Sequence, residues 1–409
     1  MKLDIPYGQA SMKLVLSDNR PVEVVSPLAT SPDQGSIERS LSHPAGSPDL
    51  TSFLSKRRRI LVVVNDHTRP TPTAAVLKRL DLKEKQVTTI IASGAHRPPS
   101  QRELEALLGG AGAPYGGEVT VHDSKDKSQL RSIGRTSRGT ELQFNKRLFE
   151  TDGIIVIGSV EPHYFAGFTG GRKFLLPALA GFRSIEMNHS FALDDQSSVL
   201  KLEGNPVHED IMEALKRFNR FDDIFSIQLV LNADHEVSYT LSGDIVRSFA
   251  SAVDRAKEVY VPRVDAKADI VVAVATPPMD MDLFQSHKAI ENVRLALKDQ
   301  GVLILVSPCN DGIGSREFYD LLNSGRDVLS IIKKGYKLGY HKAAKLLQLQ
   351  EKAKLLAVSS LPQDKLRTIN ITPHVDIQTA VDEATKLRGS DSRILIVLDA
   401  CLTVPFPEN

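Results

Sequence analysis

The chain has 409 residues, too many for one ordinary hydrophobic core, so its length predicts two domains. Its 51 lysines and arginines nearly balance 50 aspartates and glutamates, which argues against nucleic acid or a membrane surface as partner. No apolar run approaches the roughly 18 residues of a membrane span, and the N-terminus lacks a signal-peptide core. Two cysteines exclude a disulfide framework or a four-thiolate zinc site. A cytoplasmic enzyme is therefore expected.

The first part of the chain alternates between predicted strands and predicted helices. After a hairpin in residues 1–26 and a loop with one short helix at 27–56, strands are predicted at 60–64, 87–92, 118–122 and 153–158, and helices at 74–80 and 101–108. Then come a helix at 207–218, a hairpin of strands 225–231 and 236–241, and a helix at 244–260. This alternation predicts a mostly parallel sheet covered by helices.

A second alternating series follows a linker near residues 262–267. Its predicted elements are strands at 268–275, 302–306 and 393–398, a helix at 286–297 and Lys-rich helices over about 325–357, whose basic faces predict a solvated surface. We therefore place domains at residues 1–264 and 265–409. The fold class is α/β, with a mostly parallel, partly mixed sheet covered by helices in each domain.

Polar side chains follow three predicted strands of the first domain. Asp66 and Arg69 follow one strand, His96 follows the next, and Glu161 and His163 follow a third. In open parallel sheets, ligands bind outside the carboxyl ends of the strands. These segments therefore predict one shared pocket, provided that the strands are parallel.

The segment 161–190 holds the densest set of reactive side chains. Its glycines Gly170 and Gly171 allow close backbone approach to an anion. The phosphate-loop pattern GxxxxGK[ST] nevertheless fails, because Arg172 stands at its second glycine and Phe174 at its final hydroxyl position. This failure argues against a nucleoside-triphosphate hydrolase.

A proline and a glycine after this turn predict a short helix. Pro177 is expected in its first turn and Gly181 at its end. This interpretation places Lys173 just before a helix and not on its solvated flank, while a turn with a surface lysine remains the alternative.

Taken singly, the candidate residues leave two interpretations open. His96 and His163 fit acid–base catalysts, but also packed loop histidines. His189 fits a metal ligand, although a lone histidine is more often structural. Gln285 and Lys288, at the start of a predicted helix, fit a carboxylate site, but also a helix cap and surface charge.

Taken jointly, the motifs resemble those of the nickel-pincer lactate racemase family of 2-hydroxyacid racemases and epimerases. The matching stretches appear in the family's order between about residues 60 and 320: Asp66-His-Thr-Arg69-Pro70, Gly94-Ala-His96-Arg97-Pro98, Glu161 to Lys173, Asn188-His189-Ser190 and Gln285-Ser-His-Lys288. The long central motif is highly specific, whereas the short ones carry weight only together.

The resemblance implies an isomerase that inverts C2 of lactate or a related 2-hydroxycarboxylate. Hydride would pass to and from a nickel-pincer nucleotide (pyridinium-3-thioamide-5-thiocarboxylate mononucleotide), with a 2-oxoacid intermediate. The implied acid–base pair is His96 and His163. The implied cofactor contacts are Lys173, through a thioamide tether, Gly170, Gly171 and Phe284, with His189 as nickel ligand. The implied substrate contacts are Arg69, Gln285, Lys288 and Asp66.

The resemblance also implies an active site in a cleft between the domains and cofactor-maturation enzymes as partners. The chemistry is coherent, because hydride removal from C2 leaves a stable oxoacid and no side chain accepts hydride. Phe284 stands where some members carry tyrosine, and the chain has no tryptophan, which leaves a larger 2-hydroxyacid open. The alternatives are a net 2-hydroxyacid oxidoreductase on this scaffold, or a non-catalytic protein that binds nickel or the nucleotide.

Overall fold

The computed structural model describes residues 1–16, 20–33, 35–110, 114–324 and 328–408. Contacts divide the chain into two compact units. The central unit comprises Ala29–Glu161 and Phe165–Val259, and the terminal unit comprises Met1–Leu28, Pro162–Tyr164 and Tyr260–Asn409. The division into residues 1–264 and 265–409 stays a prediction, and the contact units differ from it in assigning the first 28 residues to the terminal unit.

Strands and helices alternate along most of the chain. The strands are β1 Lys2–Tyr7, β2 Ala10–Val15, β3 Val22–Val25, β4 Arg59–Asn65, β5 Gln86–Ala92, β6 Glu118–Val121, β7 Leu130–Arg135, β8 Glu141–Asn145, β9 Gly153–Ser159, β10 Pro162–His163, β11 Gly167–Phe168, β12 Ile224–Leu231, β13 Val237–Gly243, β14 Arg263–Val264, β15 Ala268–Val274, β16 Leu297–Val306, β17 Lys354–Val358, β18 Ile371–His374, β19 Ile394–Val397 and β20 Phe406–Pro407. The helices are α1 Ser36–Ser42, α2 Leu50–Ser55, α3 Thr73–Leu77, α4 Gln101–Leu108, α5 Phe182–Ser190, α6 Pro206–Phe218, α7 Ile245–Tyr260, α8 Leu283–Val293, α9 Arg316–Leu322, α10 Val328–Lys334, α11 Tyr340–Gln350, α12 Gln363–Thr368 and α13 Ile377–Arg388. None of these helices is long and apolar enough to cross a membrane.

The central unit is built on a six-stranded sheet in the order β13-β12-β9-β4-β5-β6. Every neighbouring pair is parallel except β12 and β13, which form the predicted hairpin. The apolar runs of β4 and β9 are buried, as strands covered on both faces require. The predicted mostly parallel, partly mixed sheet is confirmed for this unit.

The order of this sheet brings three carboxyl ends together. Strand β4 lies between β9 and β5, with Val63 opposite Val156 on one side and Ile90 on the other. All three strands run in the same direction. The polar segments that follow them therefore leave the sheet at one edge, as the sequence predicted.

The terminal unit contains a fully parallel sheet in the order β18-β17-β16-β15-β19-β3. Its edge strand β3 comes from the N-terminal segment, with Val22 opposite Ile394. The predicted hairpin β1–β2 is also confirmed, and its Ile5 and Leu14 lie in the core of this unit. These contacts explain why Met1–Leu28 belong to the same unit as Tyr260–Asn409.

The predictions for segments 27–56 and 325–357 need correction. The segment 27–56 holds two short helices, α1 and α2, and not one. In the segment 325–357, residues 325–327 lie outside the described residues, and the helices end before β17 (Lys354–Val358). The buried run 355–358 pairs with β16, because an apolar run of this length fits a central parallel strand better than a helix.

The basic face of α11 is not the solvated surface that the sequence predicted. Lys342 is 4% exposed and Lys345 is 8% exposed. The Lys342 ammonium donates to the Phe284 carbonyl and lies 3.7 Å from the centroid of the Phe284 ring. Burial, together with the charge of Lys288, holds the pKa of Lys342 well below its usual range. The solvated interpretation was wrong because a lysine stem can be buried when its amine finds a carbonyl acceptor.

We expect Lys342→Met to stabilise the protein at neutral pH. Because the folded-state pKa is depressed, the unfolded chain binds more protons, so wild-type stability rises with pH until the unfolded pKa of about 10.4 is passed. Methionine carries no such penalty, although it leaves the Phe284 carbonyl without its donor, and urea unfolding should show a net gain at pH 7 that shrinks as the pH rises. The exposed Lys337→Met is the control. A pH-independent gain would contradict this account.

Candidate active site

His96 and Asp66 form a hydrogen-bonded pair at the carboxyl edge of the central sheet. His96 Nδ1 lies 2.7 Å from Asp66 Oδ2, and the other carboxylate oxygen accepts from the Thr68 backbone N–H and hydroxyl. The Asp66 side chain is 4% exposed, whereas that of His96 is 46% exposed. Because Nδ1 faces the carboxylate, Nε2 is the His96 nitrogen that could exchange a proton with a ligand.

The electrostatics of this pair keep Asp66 ionised. Burial alone would raise the pKa of Asp66, but the hydrogen bonds and charges of its neighbours, His96 foremost, outweigh it and lower the pKa to about 2. The carboxylate therefore remains available at any physiological pH to orient the imidazole and to stabilise its protonated form. Its direct contact with substrate stays a prediction.

Arg69 is held by a buried carboxylate that the sequence analysis left without a role. Its Nη1 donates to Glu161 Oε1 at 2.6 Å. Glu161 is 3% exposed, and its second oxygen accepts from the Ser159 hydroxyl at 3.2 Å. The available signal was its position, directly after β9 and at the head of the longest motif. Glu161 fixes Arg69 while leaving other guanidinium N–H groups for a ligand.

The glycine turn after β11 is explained by the packing of the protein itself. Gly170 and Gly171 have φ values of +76° and +50°. A Cβ would lie 2.5 Å from a Val160 methyl carbon at Gly170, and 2.7 Å from the Phe249 side chain at Gly171. The Gly171 N–H donates to the Gln228 side chain at 2.8 Å. Glycine is required here sterically, and the cofactor contacts of both glycines stay predictions.

Arg172 stabilises this turn through hydrogen bonds from a buried position. It is 1% exposed, and its guanidinium donates to the carbonyls of Phe168 and Ala166 at 3.0 and 2.9 Å. Its Nε donates to His208 Nδ1 at 3.1 Å. Burial, with the neighbouring Arg172 charge, lowers the pKa of His208 to about 3, so that the imidazole stays a neutral acceptor.

Lys173 follows in a 3-10 turn, Gly171–Phe174. The predicted helix from Pro177 to Gly181 was wrong: this stretch forms turns, and Gly181 is instead the residue before α5. So short a window cannot sustain a helix by itself, and its apolar side chains are buried in turns.

We expect Arg172→Met to weaken the central unit strongly. The substitution leaves buried carbonyls without their charged donor, although it also removes a buried cation. The free energy of unfolding should fall by about 3 kcal/mol on balance. Urea unfolding of the purified protein measures the loss. Arg183→Met, at an exposed position of α5, is the matched control. Equal midpoints for the two variants would contradict the assigned role.

Lys173 and His189 lie beside the same aromatic ring. The Phe165 ring centroid is 5.8 Å from the Lys173 amine and 5.0 Å from the His189 imidazole. His189 lies in the last turn of α5, which is anchored where the Asn188 amide donates to Asp210 at 2.9 Å. In the described part of the chain, no group of three or more His, Cys, Asp and Glu side chains is arranged to hold a metal ion. An amine and a single imidazole fit a tethered cofactor whose metal takes one protein ligand.

The second candidate histidine, His163, belongs to the terminal unit. It is 9% exposed, and its ring stacks on Tyr164 with centroids 5.2 Å apart. Its strand β10 contacts α8, the helix that carries Phe284, Gln285 and Lys288. The structure thus brings His163 to the helix that holds the candidate substrate contacts.

Helix α8 begins and ends earlier than the predicted 286–297, because Leu297 already belongs to β16. It starts at Leu283, where the Asp282 side chain accepts from the Gln285 N–H at 2.6 Å. Gln285 therefore lies in the first turn and Lys288 in the second. The Lys288 amine lies 3.0 Å from the Met279 sulfur. The sequence missed this start because Asp282 was taken as part of a loop, although aspartate is a preferred helix cap.

Two mostly parallel sheets flanked by helices define the class of protein, an α/β protein, and an imidazole oriented by a carboxylate lies at the carboxyl edge of one sheet. Residues 7–200 match the profile of the lactate racemase N-terminal domain, and residues 264–404 match that of the lactate racemase C-terminal domain. The chain belongs to the lactate racemase family, and it is an isomerase.

Individual relatives support the same family. The chain is 28% identical to lactate racemase of Thermoanaerobacterium thermosaccharolyticum, covering 97% of each sequence. It is 30% identical to lactate racemase of Lactiplantibacillus plantarum over 334 residues, which is 78% of this chain and 77% of the relative.

Solved structures confirm the fold. The lactate racemase apoprotein of T. thermosaccharolyticum superimposes with a TM-score of 0.89 at 26% identity, covering 99% of both chains. A Thermotoga maritima protein superimposes with a TM-score of 0.72 at 20% identity, covering 92% of this chain and 99% of its own, which bears on the fold alone.

Proposed function

We propose that this chain racemises lactate or a related 2-hydroxycarboxylate by removing hydride from C2 and returning it to the opposite face of a 2-oxoacid. The observation that supports this most directly is the exposed His96 imidazole, oriented by the buried Asp66 carboxylate at 2.7 Å. Such a pair can take a hydroxyl proton as C2 becomes a carbonyl carbon, and can give it back.

His96 and His163 are proposed to act as the acid–base groups for opposite enantiomers of the substrate. Each would hold the hydroxyl proton of one enantiomer while the oxoacid reorients, and a histidine can do so because its ordinary pKa lies near the working pH. The Asp66 carboxylate would stabilise the protonated His96. An enzyme acting on both enantiomers needs two such groups in equivalent roles.

The substrate carboxylate is proposed to bind cationic side chains. Arg69 is already fixed by Glu161, so little side-chain entropy is lost when its remaining N–H groups meet a carboxylate. Gln285 and Lys288 on α8 are proposed to orient the carboxylate and hydroxyl groups. The anchored intermediate would then turn without leaving the site.

A nickel-pincer nucleotide is the proposed cofactor. Lys173 would tether it as a thioamide, His189 would ligate nickel, and Gly170, Gly171 and Phe284 would contact the organic part. When bound, this group supplies the hydride acceptor that no side chain provides. Dependence on cofactor-maturation enzymes and a cytoplasmic location belong to this proposal.

The choice of 2-hydroxyacid is expected to depend on Phe284. This ring carries no hydroxyl, so beside the cofactor it would give the pocket an apolar surface but no hydrogen bond. Its position is fixed by the Lys342 amine on one side and by Phe318, with ring centroids 5.7 Å apart. An apolar substituent on the substrate is therefore tolerated better here than an extra polar group.

The test is a panel of single-enantiomer 2-hydroxyacids, beginning with both lactates, incubated with cofactor-loaded protein and followed by chiral analysis. We expect inversion from either hand of at least one acid. Accumulation of oxoacid without inversion would favour the oxidoreductase alternative. No turnover of any acid, with nickel and cofactor bound, would favour the non-catalytic one.

A further inference from the structure

Four aromatic rings with nearly parallel planes form a continuous series in the terminal unit, and the proposed catalytic His163 is its first member. The His163 and Tyr164 rings are 5.2 Å apart at an interplanar angle of 15°. Tyr164 and His341 are 6.2 Å apart at 17°, and His341 and Tyr336 are 6.1 Å apart at 26°. The first pair is stacked, whereas the other two pairs meet at their edges through hydrogen bonds. We call these four residues the ring series.

Hydrogen bonds fix Tyr164 and His341, the two central members of the ring series. The Tyr164 hydroxyl lies 3.0 Å from His341 Nε2, and the Tyr336 hydroxyl lies 2.6 Å from His341 Nδ1. A neutral imidazole donates through one nitrogen and accepts through the other, so both ring nitrogens of His341 are used. Tyr164 and His341 are 4% and 2% exposed, which leaves little room for either ring to rotate.

Further side chains enclose Tyr164 from its other sides. The fully buried His287 ring meets it edge-on at 5.8 Å, and the Lys342 amine lies 5.6 Å from its centroid. Burial raises the pKa of Tyr164 well above its usual range, so the phenol remains a neutral hydroxyl. The face that Tyr164 offers to His163 is therefore rigid and uncharged.

This arrangement differs from the support given to the other histidine. His96 is oriented by a carboxylate through a hydrogen bond, whereas His163 rests on an aromatic face whose own position is set by His341. Stacked aromatic pairs are worth about 0.5–1.5 kcal/mol beyond their buried area. A rotation that breaks the stack would displace the His163 nitrogens from the substrate hydroxyl, and proton transfer depends steeply on that distance.

We propose that Tyr164 and His341 are positioning residues that fix the His163 imidazole for proton transfer. The inference rests on the proposed racemase function and deepens it, by giving the motif residue Tyr164 and the helix α11 a part in catalysis. Tyr164 acts through its ring face, and His341 acts through Tyr164.

The test compares three variants of the cofactor-loaded protein. Tyr164→Leu removes the flat face and should lower kcat roughly 10- to 100-fold with little change in KM. Tyr164→Phe keeps the face but loses the hydrogen bond to His341, and should restore part of the rate. Tyr260→Leu, at another tyrosine buried in this unit (1% exposed), should lower the melting temperature comparably without lowering kcat. Because two enantiomers are equal in free energy, kcat/KM must fall equally in both directions.

A second readout needs neither cofactor nor activity. In the NMR spectrum of the protein, a ring current from Tyr164 should shift the His163 imidazole signals, and Tyr164→Leu should remove that shift. Wild-type signals without the shift would contradict the stacking of His163 on Tyr164. Full racemase activity in Tyr164→Leu would overturn the positioning role, while an inactive loaded wild type would overturn the proposed function and with it this inference.

Discussion

Replacing His163 or His96 with asparagine is expected to lower kcat by about 10²- to 10⁴-fold, the usual contribution of a positioned acid–base group. Asparagine retains hydrogen bonding but cannot take up and return a proton. Nickel content and cofactor mass should be unchanged, because neither histidine is proposed to hold the cofactor. Steady-state rates with chiral analysis measure the loss.

The two variants should also differ from each other in a single turnover. Each variant retains the histidine that acts on one enantiomer, so each should still oxidise that enantiomer to the oxoacid while failing with the other. The enantiomer that is oxidised should be opposite in the two variants. The exposed His43→Asn is the control and should keep wild-type rates. Normal inversion by either active-site variant would contradict the assignment of the pair.

Replacing Lys173 with alanine is expected to abolish the covalent cofactor and to reduce activity by about two orders of magnitude or more. A tether holds its group at a high local concentration, and without it occupancy depends on ordinary affinity. Intact mass should lose the cofactor increment, and nickel content should fall with it. Lys216→Ala, at an exposed position of α6, should retain both. A Lys173→Ala protein with the increment intact would contradict the tether.

Much of the central fold was predictable because its signals are local. The buried apolar run of β4 marks a strand, and the polar residues Asp66 and Arg69 that follow it mark its carboxyl end, all within ten residues. Three such ends on parallel strands predicted a shared edge, and the His96–Asp66 and Arg69–Glu161 contacts lie there.

The features that escaped prediction depend on partners distant in sequence. Strand β3 pairs Val22 with Ile394, and no short window reports such a pairing. Lys342 is buried because α11 places it against Phe284. The sequence showed Arg172 only as a mismatch to the phosphate-loop pattern, and its role depends on the carbonyls to which it donates. Glu161 and Tyr164 stood inside the recognised motif, but their roles follow only from their contacts with Arg69 and His341.

The direct test of the account is the fate of the hydrogen on C2. Loaded protein would be given one enantiomer of lactate, or of the acid that proves most active, deuterated at C2 and dissolved in ordinary water. If the hydrogen leaves and returns as hydride, the inverted product should retain deuterium at C2. Inverted product that carries protium instead would mean removal as an exchangeable proton and would contradict the proposed mechanism.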